Sequence, residues 1–173
     1  MYANPETINQ ETLYQGDIIA DFPFFIFQDS HSVKKNQNGF FEQADNAEDG
    51  EENLFVVAAK KQSIMILSQT CDIQRRENII ICPVFKLADL ISSKAINSEQ
   101  AKSLRARKIY YNFYLPEFGD FPETIADLQT MIYVSREKLS TQIKKRIISL
   151  DHLGRHHLAW ALTNYFGRPA ETA

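Results

Sequence analysis

The sequence contains very little cysteine and no long hydrophobic run. Two cysteines in 173 residues, Cys71 and Cys82, are too few for the disulfide framework of a secreted domain and favour a reducing compartment. No apolar run approaches the ~20 residues of a membrane span. No N-terminal stretch combines a basic flank with an apolar run of signal-peptide length. We therefore expect a cytoplasmic protein that has no membrane partner.

Acidic and basic residues are unevenly distributed along the chain. Residues 1–59 hold 11 Asp and Glu against Lys34 and Lys35, a net charge of −9, whereas residues 60–173 carry a net charge of +6. Most of the acid lies in segment 42–52, whose low hydrophobicity predicts a solvated loop. Alternatively, this segment is an acidic flap that competes with a polyanion for the basic remainder of the chain.

The hydrophobic pattern predicts one domain, 1–173, of class α+β. It begins with an N-terminal arm, 1–12, and includes a long polar loop, 28–52, with a hairpin around Asn38-Gly39. The predicted strands lie at 18–27, 54–59, 64–68, 79–84, 109–115 and 131–134, and the predicted helices at 98–107 (capped by Asn97 or Ser98) and 150–166 (capped by Ser149). This order of elements predicts a small, strongly bent antiparallel barrel with an inserted helix and a C-terminal helix on its outside.

The third predicted strand ends in five residues with polar or reactive side chains: Ser68, Gln69, Thr70, Cys71 and Asp72. A buried strand that ends in such residues is a common way to build a site. A nucleophilic thiol needs a nearby cation or base, and Arg75 and the histidines of the last helix are the candidates. The alternative, which we prefer for the chemistry, is that Cys71 packs as a small apolar residue and Asp72 caps the following turn.

The relation of the two cysteines depends on strand register. If Ile73 faces Ile79 across the charged tip of the hairpin, Cys71 lies opposite Ile81. The two sulfurs then project from opposite faces of the sheet. A shift by one residue reverses that expectation.

The terminal helix is expected to place His157 on its apolar side. At ~100° per residue, one face collects Leu150, Leu153, His157, Ala161 and Tyr165, with Leu158 and Trp160 at its edges. Arg155 and His156 lie on the opposite face. His157 is either a hydrogen-bonded core residue or a functional one. His152 and His156 are four residues apart, but without a second cluster of ligands we expect no metal site and no cofactor.

Basic residues alternate with tyrosines in the second half of the chain. The basic groups are Lys60-Lys61, Arg105-Arg107-Lys108 and Lys144-Lys145-Arg146, and the tyrosines are Tyr110, Tyr111 and Tyr114. Basic side chains contact phosphates, and aromatic rings stack on unpaired bases. RNA is therefore one candidate partner, although scattered basic groups are also normal on the surface of a soluble protein.

Three strand segments resemble bacterial toxins of the MazF/PemK type. They are Gly16-Asp17-Ile18, Ile64-Met65-Ile66-Leu67-Ser68 and Ile80-Ile81-Cys82-Pro83-Val84, where the family has GDI, RPALVLS and vvcPiT strands. The resemblance covers residues 14–86 and implies a small barrel of the Src-homology-3 type. It also implies a dimeric endoribonuclease that cuts single-stranded messenger RNA without a metal.

Two positions depart from the toxin pattern. The family's catalytic Arg aligns with Gln62, next to Lys60 and Lys61, and its catalytic Thr aligns with Phe85. Neither Gln62 nor Phe85 can stabilise a developing negative charge as a cation would. The segments LSQTCDI, FYLP (113–116) and RHHLAWALTNYFGRP (155–169) are similar to a group of bacterial and phage-associated proteins to which we assign no activity.

These observations predict a binding or regulatory module on a MazF-like barrel, in a toxin–antitoxin or phage-related context. The expected partner is RNA or a protein, and the chain is expected to form a homodimer. The predicted binding residues are Ser68, Gln69, Thr70, Lys60, Lys61, Arg75 and Arg155. The alternative is an enzyme, either a divergent endoribonuclease or a hydrolase or transferase that depends on Cys71. In that enzyme Cys71 or Asp72 would act with support from His157 or Arg155.

Overall fold

The computed structural model of the chain describes residues 1–4, 6, 8–26, 32–35, 41–43, 54–55 and 58–167. It divides into two compact units, one of Met1–Phe22 and Gln62–Ala173 and the other of Pro23–Lys61. The strands are β1 (Ile18–Ile26), β2 (Ser32–Lys35), β3 (Phe41–Gln43), β4 (Leu54–Phe55), β5 (Ala58–Ile66), β6 (Asn78–Lys86), β7 (Asn112–Leu115), β8 (Thr124–Asp127), β9 (Ile132–Ser135) and β10 (Arg146–Ile148). The helices are α1 (Thr70–Ile73), α2 (Leu87–Ser92), α3 (Ser98–Arg105), α4 (Arg136–Thr141) and α5 (His152–Phe166).

The main sheet is curled, antiparallel and seven-stranded. Its order is β10-β1-β5-β6-β8-β7, and β9 pairs with the first half of β6. Strand β6 is nearly continuously apolar, so it can be buried while pairing β5 on one side and both β8 and β9 on the other. The predicted α+β class is confirmed, with the sheet forming a half-barrel accompanied by a C-terminal helix.

The core of the larger unit lies between this sheet and α5. Its buried side chains are Ile18, Met65, Leu67, Cys82, Val84, Phe113, Leu115, Phe121, Ala126, Leu128, Leu150 and Leu158. A second buried cluster, of Leu87, Leu104 and Ile125, joins α2 and α3 to β8. The N-terminal arm is held against the same unit, because Tyr2 pairs with Leu150 and its hydroxyl donates to the Pro116 carbonyl at 2.6 Å.

The register of the cysteines differs from the prediction. Cys82 on β6 lies opposite Met65 on β5, and Ile81 lies opposite Ile66. The expected pairing of Cys71 with Ile81 is therefore wrong. The chain leaves the strand before Cys71 and forms the single helical turn α1, so the hairpin closes earlier than the apolar pattern suggested.

Several element boundaries also differ. Lys60, Lys61, Gln62 and Ser63 continue β5, whereas two strands separated by these polar residues were expected. Asn97, one of the two predicted caps, is the N-cap of α3. The helix ends at Arg105, before the predicted end at 107. The strand predicted at 109–115 is shorter, because it begins only at Asn112. The residues before Asn112 belong to the connection that follows α3.

The terminal helix begins two residues later than predicted. Asp151 is its N-cap, and its Oδ1 accepts the Gly154 N–H at 2.6 Å. Ser149 is not the cap, because its hydroxyl donates to the buried Asp17 carboxylate. The short helices α2 and α4 were not predicted from the sequence.

The smaller unit contains a three-stranded sheet of order β3-β2-β4. Strands β2 and β3 pair antiparallel, with Lys34 opposite Glu42, which is the hairpin expected within the polar loop. The hairpin tip and most of the acidic segment 42–52 lie outside the described residues. Among the helices that the structure describes, none is long and apolar enough to span a bilayer.

Candidate functional site

Ser68 and Thr70 are used to fix the chain after β5. The Ser68 hydroxyl accepts the Ile80 N–H at 2.9 Å, and the Thr70 hydroxyl accepts the Gln15 N–H at 3.2 Å. The Gln15 side chain donates to the Leu67 carbonyl at 2.8 Å. These bonds connect the polar segment to β6 and to the chain preceding β1. Both hydroxyls therefore have a structural partner.

Cys71 and Asp72 lie on the single turn of α1. Cys71 is exposed, with its Sγ 3.7 Å from Gln69 Oε1, so the expectation that it packs as a small apolar residue is wrong. The Asp72 carbonyl accepts the N–H groups of Arg75 and Arg76, as in an ordinary helical turn, but Gln69 and Gln74 are the caps of α1, so the expectation that Asp72 caps this turn is wrong. Its carboxylate lies 3.8 Å from the Arg76 guanidinium, and Arg75 is exposed.

The two thiols are expected to differ strongly in reactivity. Burial raises the pKa of the Cys82 thiol well above its usual range, and Cys82 is completely buried, whereas Cys71 is exposed. Because the thiolate is the reactive form, a disulfide reagent at about pH 8 should modify one thiol in the folded protein. Cys71→Ser should abolish that reaction until denaturant is added. Equal rates for both thiols in the folded protein would contradict this assignment.

Helix α5 presents two faces to two different grooves. Ala159, Leu162 and Phe166 face a groove of about 450 Å³ that also contains Gln15, Leu67 and Gln69. Arg155 lies on this side, with its guanidinium 5.4 Å from the centre of the Tyr14 ring. At ~100° per residue His157 points away from this face. The structure thus brings Gln69 and Arg155 to one side of α5 and places His157 on another.

The predicted catalytic residues lie on α1 and α5. Gln69, just before α1, lines the smaller groove, whereas His157 lines a larger cleft that shares Thr163 and Gly167 with that groove. The predicted combination of Cys71 with His157 stays a prediction. Lys60 and Lys61 are exposed residues of β5 and belong to the smaller unit. Among the described residues, no group of three potential metal ligands is present, including around His152.

The larger cleft, called the α5 cleft below, has a volume of about 790 Å³. It lies between α5 and the chain that connects α3 to β7. Its lining residues are Arg107, Lys108, Ile109, Tyr110, Asn112, Phe113, Tyr114, His157, Trp160, Ala161, Thr163, Asn164 and Gly167. Within β7, Phe113 and Leu115 are buried in the core while Tyr114 is only partly buried, as expected from the two-residue period of a strand.

The α5 cleft is cationic. Arg107 and Lys108 are exposed, and none of the described residues that line the cleft is Asp or Glu. Among the ion pairs of the described residues, none involves either of these two side chains. An anion that enters the cleft therefore meets two positive charges that form no ion pair with a carboxylate in the described part of the chain.

Glu123, which is bonded to the lining residue Tyr114, has a further partner in Arg105. Glu123 accepts two hydrogen bonds from Arg105, at 2.7 and 2.8 Å, and one from the Tyr114 hydroxyl at 2.6 Å. The hydrogen bonds from Arg105 hold the pKa of the Glu123 carboxyl below its usual range. Burial, together with the bond to Glu123, raises the pKa of Tyr114 to about 12. Tyr114 therefore stays protonated at neutral pH and can donate its hydroxyl hydrogen to Glu123.

The cleft also exposes aromatic surface. Trp160 is 68% exposed and Tyr110 is 39% exposed, although large aromatic side chains usually bury most of their area. The Tyr110 ring centre lies 6.5 Å from that of Tyr165. His157 is partly buried, and its Nδ1 is buried without a hydrogen-bond partner among the described residues. Exposed rings beside unpaired cations are typical of a binding surface.

Most residues of this cleft were not predicted as a site. The alternation of basic residues and tyrosines at 105–114 indicated a binding surface. It did not indicate that residues of α5 line the other side of the cleft. Trp160 was expected at the edge of an apolar face, and Leu153 within it, yet Trp160 is 68% and Leu153 54% exposed. No known protein family matches this chain, and no curated protein matches it either. The functional proposal consequently rests on the geometry of the cleft.

Proposed function

We propose that this protein is a binding module that holds single-stranded RNA in the α5 cleft. The observation that carries the proposal is the combination in one cleft of two cations, which have no carboxylate partner within the described ranges, and the exposed ring of Trp160. Cations bind phosphates, and aromatic faces stack on bases. A volume of about 790 Å³ lies within the ordinary range of ligand sites.

Single strands are favoured over duplex because the rings must reach unpaired bases. In a double helix the base faces are covered by their neighbours, and only edges and backbone are accessible. The exposed Trp160 and Tyr110 rings would find no base face there. Base stacking is sequence-tolerant, so the cleft is expected to bind many sequences with similar affinity.

The resemblance to MazF/PemK-type toxins fits a binding role better than a catalytic one. The curled sheet and the strand segments at 16–18, 64–68 and 80–84 support a divergent barrel of that type. The Gln62 side chain, where the family has its catalytic Arg, donates to the Val84 carbonyl at 2.5 Å. Phe85, where the family has its catalytic Thr, packs against the cluster of Leu87 and its neighbours. A homodimer remains a prediction of the resemblance.

Trp160→Ala is expected to weaken RNA binding by about 1–3 kcal/mol, the usual contribution of one stacked base and roughly five- to 150-fold in Kd. Fluorescence anisotropy with a labelled single-stranded RNA of about ten nucleotides measures it. Because Trp160 is largely exposed, the free energy of unfolding should change by less than about 0.5 kcal/mol.

Phe166→Ala is the matched control. Phe166 lies on the same helix and is 66% exposed, but it lines the groove on the other face of α5. It should bind RNA as the unaltered protein does. Equal losses in the two variants, or an affinity for RNA that does not change with salt concentration, would reject the proposal, because phosphate contacts release counterions.

A further inference from the structure

Arg107 occupies a backbone conformation that normally favours glycine. Its φ is +54°, in the left-handed region, immediately after the end of α3. The Arg107 N–H donates to the Leu104 carbonyl at 2.9 Å, and the Lys108 N–H donates to the Ser103 carbonyl at 2.9 Å. These two bonds define a Schellman helix end, whose left-handed position is usually glycine because a Cβ is unfavourable there.

The stability of the helix end therefore does not explain an arginine at this position. The polar contact of the Arg107 guanidinium is with the Met1 sulfur at 3.8 Å, and sulfur is a weak acceptor. Arg105, two residues earlier on α3, has a bidentate carboxylate partner in Glu123. Arg107 has no carboxylate partner among the described residues, and its side chain lines the α5 cleft.

We propose that Arg107 is the phosphate anchor of the α5 cleft, an inference that rests on the proposed RNA-binding function. A guanidinium presents parallel N–H donors that match two phosphate oxygens, which a lysine ammonium cannot do. The left-handed turn begins the segment that forms one wall of the cleft. Arg107 therefore lies just before the strand that carries a tyrosine. Trp160 on the opposite wall supplies the stacking surface for the adjoining base.

Lys94 offers a matched control for the backbone. Its φ is +59°, also directly after a helix end, and its N–H donates to the Ile91 carbonyl at 3.1 Å. Lys94 is exposed and does not line the α5 cleft. Lys94→Gly therefore relieves the same kind of backbone conformation as Arg107→Gly, without removing a cation from the cleft.

The experiment compares Arg107→Gly, Arg107→Lys and Lys94→Gly by anisotropy with a labelled oligouridylate of about ten nucleotides, over about 50–200 mM salt. Arg107→Gly should melt at the same temperature or up to about 3 °C higher. Its RNA affinity should fall about tenfold or more. The slope of log affinity against log salt should decrease by about 0.7, the value for one phosphate on a single strand.

The other two variants separate charge from geometry. Arg107→Lys should keep the salt slope but bind more weakly, because it keeps the charge and loses the two-oxygen contact. Lys94→Gly should show the same melting behaviour as Arg107→Gly with unchanged affinity and slope. If Arg107→Gly folds poorly, Arg107→Asn replaces it, since asparagine also tolerates the left-handed region.

Unchanged affinity and salt slope in Arg107→Gly would overturn the assignment, as would an equal loss of affinity in Lys94→Gly. The failure of the anchor is distinguishable from that of the proposed function. If Trp160→Ala weakens binding and Arg107→Gly does not, the cleft binds RNA but its anchor lies elsewhere. If the unaltered protein binds no RNA, both proposals fail.

Discussion

Arg146→Met is expected to destabilise the protein by about 3–5 kcal/mol, the usual effect of removing one partner of a buried ion pair. The side chains of Arg146 and Asp17 are 4% and 0% exposed, and Arg146 Nη1 lies 2.9 Å from Asp17 Oδ2. The guanidinium also donates to the carbonyls of Thr12 at 2.7 Å and Asn9 at 2.8 Å. The variant leaves the Asp17 carboxylate buried without its cation and releases the chain before β1. Urea unfolding followed by circular dichroism measures the loss.

The expected loss of unfolding free energy in Arg146→Met arises from the unpaired Asp17 charge as well as from the lost hydrogen bonds. Burial raises the pKa of the Asp17 carboxyl, and hydrogen bonds from Ser149, Tyr14 and Arg146 oppose that effect. The double variant Asp17→Asn/Arg146→Met removes both charges, so it should lose less free energy than the two single variants lose in sum.

An exposed pair provides the control for burial. The guanidinium of Arg76 lies 3.8 Å from Asp72, and their side chains are 69% and 41% exposed. Arg76→Ala should change the free energy of unfolding by less than about 1 kcal/mol. A loss below about 1 kcal/mol in Arg146→Met would show that the buried pair does not hold this region together.

Gly16→Ala is expected to be the second severe change, with a loss of about 2–5 kcal/mol from its backbone conformation and from overpacking together. Gly16 has a φ of +81°. An added Cβ would lie 2.6, 2.7 and 2.8 Å from the Cδ1, Cγ and Cβ atoms of the buried Leu150. The backbone of Gly16 bonds to Ile66 on one side and Leu150 on the other, so it cannot move away freely. Thermal and urea unfolding measure the effect.

Gly119→Ala separates the two causes. Gly119 has a φ of +55°, but nothing lies within 4 Å of the Cβ it would gain. Its substitution should therefore cost only the backbone contribution, about 1–2 kcal/mol. If the two alanine variants lose the same free energy, close contact with Leu150 is not what requires glycine at position 16.

Both predictions concern the segment that opens β1, Gly16-Asp17, which carries part of the resemblance to MazF/PemK-type toxins. In this protein the missing side chain of the glycine lets the backbone approach Leu150 closely. The aspartate carboxylate accepts hydrogen bonds from Arg146 and Ser149. The short motif thus joins the first strand to β10 and the start of α5. Its role here is to build the fold that supports the cleft.

Sequence patterns predicted the elements that depend on local order. The nearly continuous apolar run of β6 predicted a buried strand, and the helical spacing of apolar residues predicted α5; both elements were found. Helix α2 was missed because it is only six residues long and Lys86 at its N-cap makes no side-chain capping bond. The continuation of β5 through Lys60 and Lys61 was missed because these two charged residues interrupt the apolar pattern.

The sequence by itself determined the α+β class, the apolar strands, the terminal helix and a basic, tyrosine-rich stretch at 105–114, because periodicity and composition act locally. Tertiary structure alone decided which residues share a site. It used Ser68 and Thr70 for structural hydrogen bonds and placed His157 on a different side of α5 from Gln69. It also set Trp160 opposite Arg107, because the packing of α5 against β7, rather than any local pattern, brings distant segments to the two walls of one cleft.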